Sequence, residues 1–352
     1  MNAPAHFSVT RPLKVGLVGT GYAAKLRAET LQSDSRSHLV AVAGHTPEKT
    51  QSFCQTFQAE GFSDWQQLVE LSHVDLVIVS TVNSQHGPIA RAALDAGKHV
   101  VVEYPLCLNP TEAEELIALA QSRGKLLHVE HIELLGGLHQ ALRQYLPEIG
   151  TAFYARYSTI NPQRPAPRKW TYNPTLFGFP FSGALSRIHR LTDLFGTVKS
   201  VSCQSRFWDA ESSPGTQKDL PTQHPALSTQ HSFYTACLCT AQLRFTSGLV
   251  AEVTYGKGET FWQAARPFEV YGEQGSLIFD GDRGQLVRGE ETTPIEVGSR
   301  RGLFAKETTM VLDRLLEGKP LYVTPDASLY SLKVADAARR SAETGQTIDI
   351  YS

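Results

Sequence analysis

The sequence predicts an α/β Rossmann domain with a parallel sheet, followed by an α+β domain built on a large, mainly antiparallel sheet. Three observations carry this. Apolar, strand-like runs alternate with helix-like segments as far as about residue 130, which implies right-handed βαβ crossovers. A glycine turn, Gly19-Thr20-Gly21-Tyr22-Ala23-Ala24, lies between the first strand and the first helix. Past residue 150 the pattern changes to alternating strands, as in a sheet with one wet face. The expected domains are residues 1–130 and 131–352, with the last helix packing back on the first domain.

In chain order, residues 14–18 read as a short buried strand and 22–32 as a helix. Residues 39–43 form a second strand. A helix over 47–57 follows, with Thr46 as N-cap and Pro47 at its first position, where the missing N–H costs nothing. A short helix is expected over 65–71. The β-branched run 74–79 is a strand, 87–96 a helix ended by Gly97, and 99–103 the next strand. A helix over 110–123 and a strand over 125–129 complete the alternation. In the second domain, strands are expected near 151–159, 198–207, 233–245, 249–255, 268–271 and 275–279. Helices are expected near 182–195, 306–316 and 325–344. The stretch 210–231, rich in Pro, Ser, Thr and Gln, reads as a mobile surface loop.

Bulk properties narrow the function. A charged fraction of 19%, a hydrophobic fraction of 41% and a net charge of −2 describe an ordinary globular protein with no electrostatic case for nucleic acid. There is no apolar run of membrane-spanning length. Residues 1–12 show neither a long apolar stretch nor a small-residue cleavage site, so secretion is not expected. Cys54, Cys107, Cys203, Cys237 and Cys239 have no regular spacing and read as reduced thiols in a cytoplasmic protein. Cys237-Leu238-Cys239 lacks a second pair, so no metal site is expected.

The glycine turn is a G-x-G-x-x-A in the context that dinucleotide binding needs. Gly19 permits the tight turn, Gly21 lets backbone approach a pyrophosphate, and the following helix N-terminus attracts its charge. Thr20, Tyr22 and Ala23 join them as cofactor contacts. An NAD-selective site places an acid at the end of the second strand. Here that position is Gly44-His45-Thr46, where His45, Thr46 or Lys49 would meet a 2′-phosphate, so NADPH is expected over NADH.

Two further segments lie at the carboxyl ends of strands, where ligands bind in such sheets. Ser80-Thr81-Val82-Asn83-Ser84-Gln85-His86 resembles the T-P-N-x-x-H stretch of the glucose–fructose oxidoreductase-like superfamily. Glu103-Tyr104-Pro105 resembles its E-K-P motif with tyrosine in place of lysine. In that superfamily's sugar dehydrogenases the lysine helps move a hydroxyl proton, often aided by a D-x-G-x-H-x-x-D helix. The matching stretch here puts Ser186 and Arg190 where the Asp and His would be, and retains only Asp193. Alcohol oxidation needs a base near neutrality, which Tyr, Ser and Arg do not readily supply. His189 or His131 remain to be recruited. A sugar or inositol dehydrogenase is therefore the alternative reading.

The departures are themselves a resemblance. Val101 to Pro105, residues 124–135, Phe177-Gly178-Phe179-Pro180, Leu185-Ser186-Arg187, Leu194-Phe195-Gly196 and Tyr255-Gly256-Lys257-Gly258-Glu259 are similar in order and spacing to the bacterial, cyanobacterial-type biliverdin reductases. The resemblance implies NADPH-dependent reduction of biliverdin at its central methine carbon, with protonation of a pyrrole nitrogen. It implies Arg187 as the leading catalytic residue, with Tyr104, Glu103 and His131 in support. The cofactor would meet Gly19, Thr20, Gly21, Tyr22, Ala23, His45, Thr46, Thr81, Asn83, His86 and Glu103. The bilin would meet Tyr104, His128, Arg187, Arg190, Phe179 and Trp170, with Arg164, Arg168, Lys169, Arg206 and Lys257 as rim cations for its propionates. A monomer or weak dimer is expected.

Overall fold

The computed structural model describes Phe7 and residues 12–209 and 233–350; the loop expected over 210–231 lies outside the described residues. The chain forms two compact units. The first comprises residues 1–135 and 300–329, the second residues 136–299 and 330–352. The units are thus interleaved in sequence, whereas the sequence alone suggested a single cut after residue 130.

The first unit holds a six-stranded parallel sheet made by Leu13–Val18 (β1), Ser37–Ala43 (β2), Glu60–Phe62 (β3), Leu76–Val79 (β4), His99–Glu103 (β5) and Leu127–Glu130 (β6). The spatial order is β3-β2-β1-β4-β5-β6, the doubly wound order with its switch point between β1 and β4. All four side chains of β4 are buried, as expected of a strand covered on both faces. The Asp64 side chain caps the helix Trp65–Glu70 by accepting from the Gln66 N–H. The Asn109 side chain caps Pro110–Ser122 in the same way. The core includes Leu13, Val15, Leu17, Ala28 and Ile78, joined by Val311, Leu312 and Leu315. The helix Leu303–Glu317 therefore completes this unit's core, and the last helix begins in this unit, with the Ser328 hydroxyl 2.9 Å from His131 Nε2. Most of that last helix, Pro325–Thr344, belongs to the second unit, where its Ser341 hydroxyl accepts from the Cys203 N–H at 2.9 Å.

The second unit is built on a nine-stranded sheet. Its strands are Ala152–Pro162 (β7), Val198–Asp209 (β8), Tyr234–Phe245 (β9), Val250–Gly258 (β10), Pro267–Gly272 (β11), Gly275–Asp280 (β12), Arg283–Arg288 (β13), Glu291–Glu296 (β14) and Ile348–Asp349 (β15). Their order is β14-β13-β12-β11-β7-β10-β9-β8-β15. All pairings are antiparallel except β7 with β10. The helix expected over 182–195 is two, Pro180–Gly183 and Ser186–Phe195. A Cβ at Gly183 would lie 2.5 Å from the Phe177 ring, so only glycine fits this close approach. The break puts Arg187 in the first turn of the second helix.

Candidate functional site

The first unit carries a dinucleotide cradle. Gly19 has φ +121°, and a Cβ there would meet the Ser80 carbonyl oxygen at 2.2 Å. Its glycine is thus required by the approach of β1 to the end of β4. At Gly21 a Cβ would meet no atom within 4 Å, so the protein's own packing does not call for glycine there. Gly21 is the N-cap of the helix Tyr22–Ser33, with no side-chain cap and no acid in the first turn. Unfilled space above the turn and uncapped N–H groups at a helix start together fit a pyrophosphate. Tyr22 is 77% exposed beside the turn. His45 is exposed at the end of β2, and the helix that follows begins at Pro47 with no side-chain cap from Thr46.

After β4 the helix Asn83–Asp95 starts four residues earlier than expected, which brings Asn83 and His86 into its first turn. His86 is buried, its Nδ1 2.8 Å from the Pro105 oxygen and its Nε2 3.3 Å from the Thr81 oxygen. Burial pushes its pKa down, and the neutral ring's single N–H donates to one of these two oxygens. Tyr104 stacks on His131, with ring centroids 5.3 Å apart and planes 7° apart. His131 Nε2 is 2.9 Å from the Ser328 hydroxyl, and its backbone N–H donates to the Tyr322 hydroxyl at 2.8 Å. The tyrosine that replaces the superfamily's lysine is therefore held against a fixed ring.

Behind Tyr104 lies a buried charge cluster that sequence reasoning missed. Arg27 is 0% exposed. It donates to Glu103 at 2.8 Å, to Thr308 at 3.2 Å, and to Glu307. Burial alone would raise Glu307, but Arg27 and His128 outweigh it and hold the carboxyl at about 2. Glu130 moves the other way. Burial, then the neighbouring Glu103, raise its pKa well above the ordinary value. His128 is 1% exposed, with Nε2 2.9 Å from Glu307. The ring expected against a bilin thus faces a buried carboxylate in this unit.

The second unit carries Arg187 and several of the aromatic residues singled out in the sequence. Arg187 donates to the Ser186 hydroxyl at 3.0 Å and lies 5.3 Å from the Tyr255 ring centroid. It is partly exposed, whereas its neighbours from Pro180 to Thr192 are all buried. Trp170 and Phe177 rings are 5.8 Å apart, and Phe179 and Phe181 are 6.2 Å apart. Arg164 covers Trp262 at 3.1 Å and Arg206 lies 4.8 Å from Trp208. Arg190 is 2% exposed, 5.6 Å from the Tyr157 ring. Lys257, expected at the rim, is also buried. Asp193 accepts from His139 at 2.7 Å, and burial pushes His189 down to about 4. Neither therefore offers a proton-accepting group near neutrality. Among the described residues no group of His, Cys, Asp and Glu could hold a metal ion, and no helix is long and apolar enough to cross a membrane.

Comparison with known proteins places these features in a family. Residues 13–131 match the model of an oxidoreductase family with an NAD-binding Rossmann fold, and residues 147–350 match that family's C-terminal alpha/beta domain. The biliverdin reductase of Synechocystis sp. PCC 6803, solved in complex with biliverdin and NADP+, is 52% identical. The match covers 94% of this chain and 99% of that one, with a TM-score of 0.87. Biliverdin reductase A of mouse is 30% identical over 195 residues, and that of human 30% over 193. Each match covers 54% of this chain and 61% of the relative, so the chain spans about three-fifths of these curated relatives.

Proposed function

This chain belongs to the oxidoreductase family that joins an NAD-binding Rossmann fold to a C-terminal alpha/beta domain, and from that premise we propose that it is an NADPH-dependent biliverdin reductase. The observation that carries the reading is the 52% identity to the Synechocystis biliverdin reductase across 94% of the chain. NADPH, when bound, supplies the hydride that reduces the central methine carbon. Gly19, Thr20, Gly21, Tyr22 and Ala23 hold its pyrophosphate at the helix start. His45 and Thr46 face its 2′-phosphate, where β2 ends without an acid. Thr81, Asn83 and Glu103 border the nicotinamide end, with His86 fixing the loop that carries Thr81.

Tyr104 offers a flat face and a hydroxyl to the bilin, kept in place by His131. Arg187 stabilises the charge that builds on a pyrrole nitrogen as the methine carbon is reduced. A guanidinium does this without giving up its own proton, since its pKa exceeds ~12. Phe179 and Trp170 supply apolar walls, and Arg164, Arg168, Lys169 and Arg206 are cations for the propionates. We place the protein in the cytoplasm, a reading supported by five buried, unpaired thiols, and expect a monomer or weak dimer.

The test is direct. Purified protein with NADPH should replace the absorbance of biliverdin by that of bilirubin. Tight NADPH binding without that change, or oxidation of a polyol with NADP+ in its place, would refute the assignment.

A further inference from the structure

The mechanism leaves the proton without a source, because Arg187 is too weak an acid to give one. A second cation lies near it. Lys257 projects from β10 between two glycines that the packing demands. A Cβ at Gly256 would meet the Phe261 ring at 2.8 Å, and one at Gly258, φ +115°, would meet the Thr235 carbonyl oxygen at 2.2 Å. The lysine is thereby pinned in register opposite Cys237 on β9. It is 5% exposed. Its Nζ donates to the Thr171 carbonyl oxygen and lies 4.0 Å from the centroid of Phe177, 4.6 Å from Tyr172, 5.4 Å from Tyr234 and 5.8 Å from Tyr255. Tyr255 is also the ring over which Arg187 sits.

A lysine buried among aromatic rings, with no carboxylate paired to it among the described residues, is costly to keep charged. We propose that Lys257 is a catalytic acid in this site, delivering the proton that the reduction consumes. The inference rests on the reductase reading above. As hydride forms the new C–H bond at the methine carbon, the displaced π pair moves to a pyrrole nitrogen. That nitrogen takes a proton from the Lys257 ammonium, leaving a neutral amine, which regains a proton from water. The sum is biliverdin, NADPH and one proton giving bilirubin and NADP+.

The surroundings suit such an acid. Burial, with Arg187 also opposing a second charge, brings Lys257 down to about 8, close enough to neutrality to give and regain a proton. The other titratable groups facing it stay neutral there. Burial pushes Tyr172 up to about 12, raises Tyr234 further, and raises Cys237. Arg187 keeps its charge throughout. Among the described residues of this cage, Lys257 is the group that changes charge as pH rises past about 8.

The experiment is kcat against pH at saturating NADPH and biliverdin, for the unmodified protein and for Lys257→Arg and Lys257→Ala. The unmodified enzyme should lose activity above about pH 8. Lys257→Arg keeps a cation but no usable acid, so kcat should fall by ~10²–10³ with the alkaline limb gone, and NADPH affinity should hold. Methylamine should restore part of the activity to Lys257→Ala, which a purely structural lysine would not allow. Lys257→Arg with near-normal kcat and the same limb overturns the proposal. If neither variant folds, a flat alkaline profile of the unmodified enzyme overturns it instead. Protein inert toward biliverdin at every pH removes the reductase reading and this inference with it, an outcome distinct from failure of the variants alone.

Discussion

Replacing Arg27 with methionine should destabilise the protein by about 3 kcal/mol at neutral pH, through the buried charge cluster it holds together. Arg27 has no exposed surface and satisfies Glu103, Glu307 and Thr308. Together with His128 it holds Glu307 at about 2 against an ordinary value of 4.5. At ~1.36 kcal/mol per tenfold change in proton affinity that depression is worth about 3 kcal/mol, and Arg27 is its larger source. The figure agrees with the ~3–5 kcal/mol lost when one member of a buried ion pair is removed. The sign of the pH dependence follows. A carboxyl whose folded pKa lies below its unfolded one contributes fully above about 4.5, and that contribution is lost as pH falls toward 2. Urea unfolding between these values should therefore show a steep acid limb in the unmodified protein and a shallower one in Arg27→Met. A variant within about 1 kcal/mol of the parent, with an unchanged limb, would show that the cluster is not held together by this charge.

Three further outcomes follow from the site. Arg187→Ala should lower kcat by ~10²–10³, the usual cost of losing a preorganised charge donor, while still binding NADPH by fluorescence titration; near-normal turnover removes Arg187 from the chemistry. Tyr104→Phe keeps the ring stacked on His131 and loses only a hydroxyl that is ordinarily a weak acid, so it should cost far less than the ~10²-fold expected of a proton donor; a dead variant would reverse that ranking. In steady-state kinetics kcat/KM should be higher for NADPH than for NADH, since β2 ends in Gly44-His45-Thr46 with no acid to hold a ribose hydroxyl; the opposite order refutes this reading of the strand.

The parallel sheet was legible because its strands are β-branched and buried on both faces, and because glycine and capping residues punctuate its helices. What escaped had weak local signals. β3 is three residues long, Glu60–Phe62. β13 and β14 are rich in charge, and Pro294 argues against a strand except at an edge, where β14 in fact lies. The helix Gly137–Tyr145 follows a glycine pair that reads as a break. The cradle could be read from its glycines, because a backbone conformation leaves a mark on composition. The charge cluster could not. Arg27 and Glu307 are 280 positions apart, and nothing in a helical arginine's immediate sequence announces that it will be buried. Lys257 failed for the same reason: beside two glycines in a strand it resembles an ordinary surface cation.

The histidines decide which direction of chemistry the first unit favours. His86 lies between two carbonyl oxygens, His128 faces Glu307, and His131 is engaged with Ser328 beneath Tyr104. Each ring is committed to holding a loop, a carboxylate or a tyrosine. An enzyme that oxidises an alcohol must take a proton from it and needs a base within reach. Glu103 is engaged by Arg27 at 2.8 Å. Tyrosine in place of the superfamily's lysine removes the remaining base. A reduction that consumes a proton has no use for such a group beside Tyr104; what it requires is an acid, and a caged ammonium near Arg187 is better suited to that than any side chain around the nicotinamide end.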